Sequence, residues 1–457
     1  MSTTQNIINP ADLSVCATVE FLDVEEVDEL IHRAHHSYPS WRAMTPHDRK
    51  QLLSAFASEV RAHSEELAEA EMRSAGHPIA SARGEAIGVA DVIEYFAGFP
   101  ERHFGRQIPV AGGIDVTFRE PLGVVGVIVP WNFPMLIASW GFAPALAAGN
   151  TVVLKPAEAT PLSALILERL ALDAGFPEGV FQVAPGRGDR AGWRLVTNEL
   201  VKKVCFTGST RVGKQIMAGC AEQMKRVTLE LGGKSANIIF GDADVEAAAK
   251  AAPFAVFDNA GQDCCARSRL LVDRAIYDDF LPIFLEATAS IVVGDPLDDR
   301  TQMGPLISAE QLARVQGYVA EAEVIYQVPN VPATGYYFAP TVLSGADTTA
   351  PSCREEIFGP VVSIVPFDTE AEALQIANDS IYGLSGSIWT RDLSRAFRVV
   401  RQLESGNLSV NSNSSVRYST PFGGFKGSGI GRELGPDALD AFTELKNVFI
   451  AIEEEKG

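Results

Sequence analysis

The chain has 457 residues, room for about three folding units at ~150 residues each, and its 46% hydrophobic and 21% charged composition is that of a globular protein. Lys plus Arg total 38 against 58 Asp plus Glu, a formal charge of −20, which excludes nucleic acid and an anionic membrane surface as expected partners. Six irregularly spaced cysteines (Cys16, Cys205, Cys220, Cys264, Cys265 and Cys353) form no disulfide framework and fit a reducing, cytoplasmic setting. The opening run MSTTQNIINPADL lacks the basic and apolar regions of a secretory signal.

The first hundred residues read as helices. Asp23 can cap a helix through about His36, and Thr45-Pro46 opens a longer one with Leu52, Leu53, Phe56, Val60 and Leu67 on one stripe, stopped near Gly76. His32, His35 and His36 have helical spacing, but no carboxylate or cysteine cluster completes a metal site, so an exposed helix flank is expected and no metal is assigned. Gly105 to Arg119, turning at Gly112-Gly113, reads as a hairpin. Leu122 to Gly149 is almost wholly apolar, yet Pro130, Pro134 and Pro144 punctuate it, which favours a buried strand, a loop and a buried helix over a membrane span.

From Val124 onward strands and helices alternate. Val124–Val129, Thr151–Leu154, Val204–Phe206, Val227–Leu231 and Asn237–Phe240 are short apolar strands in a βαβ rhythm, hence a mainly parallel sheet. The pattern restarts after Asp244 with a helix to about Asn259, a strand at Arg269–Val272 and further alternation to Asn407, a second α/β unit. Asn447–Ile452 reads as a final strand.

Chemistry concentrates in a few segments. A thiol is a good nucleophile only as thiolate, so the cysteines of GQDCCA, Gly261 to Ala266, need a base or an electropositive setting. All seven histidines lie in the first 103 residues, which leaves a carboxylate such as Glu230 of ELGGK. Taken alone, this Cys–Glu pairing is weak, and a merely buried thiol is the better reading of it. PWNFP, Pro130 to Pro134, follows a buried strand, where α/β sheets place ligands, and its Asn132 is either an oxyanion donor or the closure of a turn. LKPAEATPLSA and FTGSTRVG are each strand, loop and capped helix; together they can seat a dinucleotide, with Glu158 toward ribose hydroxyls and the Gly208–Gly213 turn toward a pyrophosphate.

PWNFP, KPAEATPL, FTGSTRVGK, ELGGKSANIIF, FDNAGQDCCA, EEIFGPV and PFGGFKGSGIGRELG occur in this order. With them the chain resembles the NAD(P)-dependent aldehyde dehydrogenase superfamily from about Ile8 to Val448. The resemblance implies an α/β fold with three parts: a Rossmann-type NAD-binding domain (1–104 and 123–231), a related α/β catalytic domain (232–430) and a small β oligomerisation element (105–122 and 431–457). It implies NAD-dependent oxidation of a small-molecule aldehyde to the acid in a homodimer or homotetramer. Cys264 would be the nucleophile, Glu230 the hydrolytic base and Asn132 the oxyanion donor. The cofactor residues would be Trp131, Lys155, Glu158, Gly188, Gly208, Ser209, Gly213, Glu356 and Phe358. Phe133, Trp140, Val416 and Phe422 would form an apolar substrate funnel suited to an aliphatic or aromatic aldehyde, with Arg417 a solvated loop residue nearby. The alternatives are a coenzyme A-acylating semialdehyde dehydrogenase, against which Glu230 argues, and a non-catalytic relative, against which the combination of Cys264, Glu230 and Asn132 argues. The connector between Tyr318 and Tyr336 is shorter than usual for the family, which puts only local shape there in doubt.

Overall fold

The computed structural model describes residues 3–452; the last five positions of the expected oligomerisation element and the first two of the chain lie outside them. The chain opens, contrary to the helical reading of its first hundred residues, with an antiparallel hairpin of β1 (Thr3–Ile8) and β2 (Val15–Phe21). Its residues are mostly exposed and only Ile7, Val19 and Phe21 are buried, so no alternation of apolar and polar residues announces it. Asp23 then caps Val24–Ala43 in a reciprocal box with Glu26, and the helix runs past His36 through Pro39. Thr45 and Pro46 open Pro46–Ala62 as expected, but the chain breaks at His63 and resumes as Ser64–Ala75, closed by Gly76 at φ +79°. Helix Ile79–Ala97 packs across both.

The hairpin of β3 (Gln107–Val110) and β4 (Gly113–Pro121) comes next. The run from Leu122 resolves into β5 (Val124–Ile128), a loop, and the buried helix Pro134–Ala147. β6 (Thr151–Lys155), β7 (Phe181–Val183), β8 (Val201–Thr207) and β9 (Arg226–Glu230) follow, then β10 (Ala236–Ile239) and β11 (Arg269–Asp273). The expected helix to Asn259 is in pieces, Val245–Ala251 and Phe254–Phe257 with a 3₁₀ turn, because Pro253 and the positive φ of Asn259 (47°) and Ala260 (54°) interrupt it. The remaining strands are β12 (Val324–Gln327), β13 (Thr341–Ser344), β14 (Val361–Phe367), β15 (Ser385–Trp389), β16 (Asn407–Val410), β17 (Gly429–Ile430) and β18 (Thr443–Ala451). No described helix is long and apolar enough to cross a membrane.

Two open sheets carry the molecule, giving the mixed α/β fold expected of the sequence. One has the order β17-β9-β8-β5-β6-β7, parallel except for β17, and the other β12-β13-β14-β11-β10-β15-β16, parallel except for β12. β5 and β6 are buried at every residue, as strands covered by helices on both faces must be. In the first sheet the chain leaves β5 toward β6 and returns on the other side at β8. That switch opens a crevice at the carboxyl ends of β5 and β8, the position where such sheets hold ligands. β18, β4 and β3 form a third, antiparallel sheet.

Candidate active site

Glu230 ends β9, and its backbone is pinned on both sides. Its carbonyl accepts the Gly208 N–H at 3.0 Å, and the Leu231 N–H donates to the Ser428 carbonyl at 2.8 Å. Its side chain is 2% exposed, and neither carboxylate oxygen has a hydrogen-bond partner. Burial pushes this carboxyl well above the usual range; Glu433 adds repulsion and Arg432 partly opposes it. An unpaired buried carboxylate is costly, so the group is poised to hold a proton.

Cys264 follows a strained turn in which Asn259, Ala260 and Gly261 all have positive φ. Gly261 is required there, since a Cβ would lie 2.1 Å from the Gly359 carbonyl oxygen. Two amides lock the turn to PWNFP and a third ties it to Ile307. Asn132 Nδ2 donates to the Gln262 carbonyl at 2.9 Å, Asn259 Nδ2 donates to the Asn132 carbonyl at 2.7 Å, and Gln262 Oε1 accepts the Ile307 N–H at 2.9 Å. Asn132 is thus a fixed wall of the site. The Cys264 thiol is pushed well above its ordinary value by its contact with Cys265, then by burial, with Asp263 and Glu356 adding negative charge. The surroundings are therefore not electropositive, and the resting group is a thiol that needs a base.

Asn132, Glu230 and Cys264 line one cavity of about 220 Å³, together with Trp131, Glu356 and Phe358. Glu356 Oε1 accepts the Gly233 N–H at 2.9 Å, and burial pushes its carboxyl up to about 7. Phe358, at φ +61°, sets its ring edge against Trp131 with centroids 5.3 Å apart. Pro130, Trp131, Thr207, Gly208 and Ser209 are shared with a larger cavity of about 960 Å³ that also takes in Lys155, Glu158 and Gly188. Glu158 Oε1 accepts the Gly188 N–H at 2.7 Å. Lys155 is buried, which lowers its amine to about 8. Ser209 caps helix Thr210–Ala221 by accepting the Val212 N–H. Gly213 is not among the residues lining the cavity; a Cβ there would come within 2.6 Å of Leu231, so its smallness seats the helix on β9.

The four expected funnel residues separate. Trp140 and Phe422 are buried against each other with ring centroids 5.0 Å apart, Val416 is exposed, and Phe133 lines a third cavity with its ring edge-on to His77. Arg417 is exposed and donates to the Ser414 carbonyl at 3.4 Å. His32, His35 and His36 are all exposed.

A family model described as the aldehyde dehydrogenase family matches residues 1–448. The chain belongs to that family. It is 38% identical to the betaine aldehyde dehydrogenase of Bacillus subtilis, across 97% of this chain and 94% of that protein. It is 42% identical to the NADP/NAD-dependent aldehyde dehydrogenase PuuC of Escherichia coli, across 90% of this chain and 85% of that one. It also resembles an NAD⁺ complex of aldehyde dehydrogenase from Bacillus cereus, with a TM-score of 0.96 and 39% identity over 99% and 94% of the two chains.

Several charged groups around this aldehyde dehydrogenase site escape a reading of its motifs. Glu433 reaches Glu230 because Phe422 and Glu433 form an isolated bridge, a pairing that no local pattern encodes. Glu71, His77, Glu85 and Asp258 converge near Phe133 from separate parts of the chain. Asp258 stands inside FDNAGQDCCA and Glu433 inside PFGGFKGSGIGRELG, but neither motif shows which group its carboxyl meets.

Proposed function

We propose that this aldehyde dehydrogenase uses NAD to oxidise a small aldehyde to the carboxylic acid through a thioester on Cys264 that Glu230 hydrolyses. The observation that carries this reading is that Cys264, Asn132 and Glu230 share one cavity, continuous in its walls with a second of dinucleotide size. A dinucleotide fits the residues there. Lys155 and Glu158 would hold ribose hydroxyls, Ser209 with the start of its helix and Gly188 the pyrophosphate, and Trp131, Glu356 and Phe358 the nicotinamide side. The NAD⁺ complex of the Bacillus cereus relative supports the same choice.

The geometry supports the following steps. The Cys264 proton passes to a base, for which Glu230 is the unpaired carboxylate at hand. The sulfur adds to the carbonyl carbon, and the oxygen that becomes an alkoxide accepts from Asn132 Nδ2, whose second N–H is not taken by Gln262, and from the Cys264 N–H. NAD⁺, when bound, supplies the hydride acceptor. Glu230 releases the first proton to solvent and then takes one from water, whose oxygen attacks the thioester carbon; the C–S bond breaks, that proton passes to the sulfur to restore the thiol, and the acid leaves.

All six cysteines are free, which suits the cytoplasm. Phe118 on β4 and Leu445, Phe449 and Ile450 on β18 are exposed apolar side chains, and we assign that sheet to a homodimer or homotetramer contact. An acylating reaction with coenzyme A is the second reading, disfavoured by the placement of Glu230. Cys264→Ala should abolish NADH formation while NAD still binds, whereas Cys265→Ala, at a buried neighbour, should keep most activity. The reverse pattern would overturn the assignment of the nucleophile.

A further inference from the structure

The nucleotide cavities approach the site from one side, so the aldehyde needs another approach. A third cavity of about 330 Å³ begins at Phe133, the residue after Asn132, and at Asn259, whose amide holds the Asn132 carbonyl. Its far wall is a bare stretch of helix Ile79–Ala97. A Cβ on Gly84 would meet nothing within 4 Å, and one on Gly88 would meet only Leu136, at 3.2 Å. The space is therefore present because side chains are missing.

Its charge is unbalanced. His77 Nδ1 lies 3.0 Å from both carboxylate oxygens of Glu85, so that pair largely cancels within itself. His77 is 2% exposed, and its Nε2, a donor in the charged ring, has no hydrogen-bond partner; it calls for an acceptor such as water and does not itself favour a cation. Glu71, pressed behind it, leaves Oε2 unpartnered as well. Asp258 is accessible and accepts only the Asn259 N–H at 3.0 Å; no lysine or arginine among the described residues pairs with it. Crowding by protein, then Asp263 and Glu85, pushes its carboxyl up to about 6, while His77 opposes the rise. At neutral pH it is an anion facing a pocket whose other charges nearly cancel, beside the aromatic ring of Phe133, a surface that also favours cations.

The geometry points to an aldehyde bearing an ammonium or quaternary ammonium group, with Asp258 as the residue that selects it. This rests on the oxidation proposed above, and it replaces the aliphatic or aromatic preference expected of the funnel residues. An aldehyde carrying a carboxylate would be repelled from the same pocket.

Two aldehydes differing only in charge test it: trimethylammonio-acetaldehyde and its uncharged tert-butyl isostere. The wild-type enzyme should favour the cation in kcat/KM by about tenfold or more, ~1.4 kcal/mol, and in Asp258→Asn that ratio should fall by about tenfold. A wild-type ratio near one, or a ratio that Asp258→Asn leaves unchanged, would overturn the proposal. Binding to the unreacted wild-type enzyme separates this result from the parent reading. Choline should bind more tightly by calorimetry than its tert-butyl analogue, whether or not either aldehyde is oxidised; equal binding would count against the proposal. Absence of NADH with both aldehydes would instead remove the oxidation reading.

Discussion

Glu230 and Glu433 show how a residue placed by one motif can be tuned by a residue of another, whose nearness neither motif reveals. ELGGK puts Glu230 at the end of β9, and the motifs also single out Cys264 and Asn132, which line the same cavity. What the sequence could not show is that Glu433 is buried close enough to repel it, with its own carboxyl pushed up to about 7 by burial. A hydrolytic base works only when ionised, so deacylation should weaken as the pH falls through the raised pKa of Glu230. Glu433→Gln removes a negative neighbour and should lower that pKa. The acid limb of the kcat–pH profile should move to lower pH by roughly half a unit or more, as expected for a nearby like charge. A limb that does not move would show that Glu433 does not tune the base.

At the scale of elements, the legible parts were those with a strong period or a cap. β5 and β6 announce themselves as unbroken β-branched runs, and helix Pro46–Ala62 by its Thr-Pro start. The hairpin of β1 and β2 was missed because its strands stay mostly exposed, and the break at His63 because the apolar stripe continues across it to Leu67. β17 was illegible for a different reason: two residues, Gly429 and Ile430, add to the edge of β9 by pairing with Glu230 and Leu229, far away in sequence. Close approach of this kind also fixes the loop after β9. A Cβ on Gly232 would sit 2.1 Å from Glu356 Oε2, and the same carboxylate holds the Gly233 N–H. Gly232→Ala should push that flexible side chain aside at a cost of ~1–3 kcal/mol. The fold should survive while the affinity for NAD falls about tenfold or more. Calorimetric titration with NAD would check this, and an unchanged affinity would show that Glu356 plays no part in cofactor binding.

Over the whole molecule, the response to pH is set by interior groups whose ionisation the fold opposes. Glu71, Glu356 and Glu433 are each pushed up to about 7, chiefly by burial. A carboxyl whose folded pKa lies above its unfolded value stabilises the fold while protonated. That contribution is complete below ~4.5 and is lost as the pH rises through about 7. His77, held up to about 9 by Glu85 and Glu71, keeps its charge through this window. Lys155, Lys225 and Lys234, lowered by burial to about 8, 8 and 7, act in the opposite sense and regain stability as the pH rises. The carboxyls, His77 and the self-repulsion of a formal charge of −20 outweigh them, so the melting temperature of the cofactor-free enzyme should be higher at pH 6 than at pH 8.5. Thermal denaturation at the two values checks the direction, with a drop of roughly 2 °C or more expected. A rise would mean that these carboxyls are ionised in the fold at no cost.

The proposed division of labour between Cys264 and Glu230 is tested most directly by rapid mixing of the Glu230→Gln variant with NAD and an aldehyde, with mass spectrometry of the quenched protein. The variant keeps the shape and loses the base. It should give a burst of NADH of up to one equivalent per site, slow unless the pH is raised to ionise the thiol, and then a steady rate lower by ~10²–10⁴-fold. An acyl adduct should accumulate on Cys264. Full steady turnover with no adduct would place the hydrolytic base elsewhere and contradict the account.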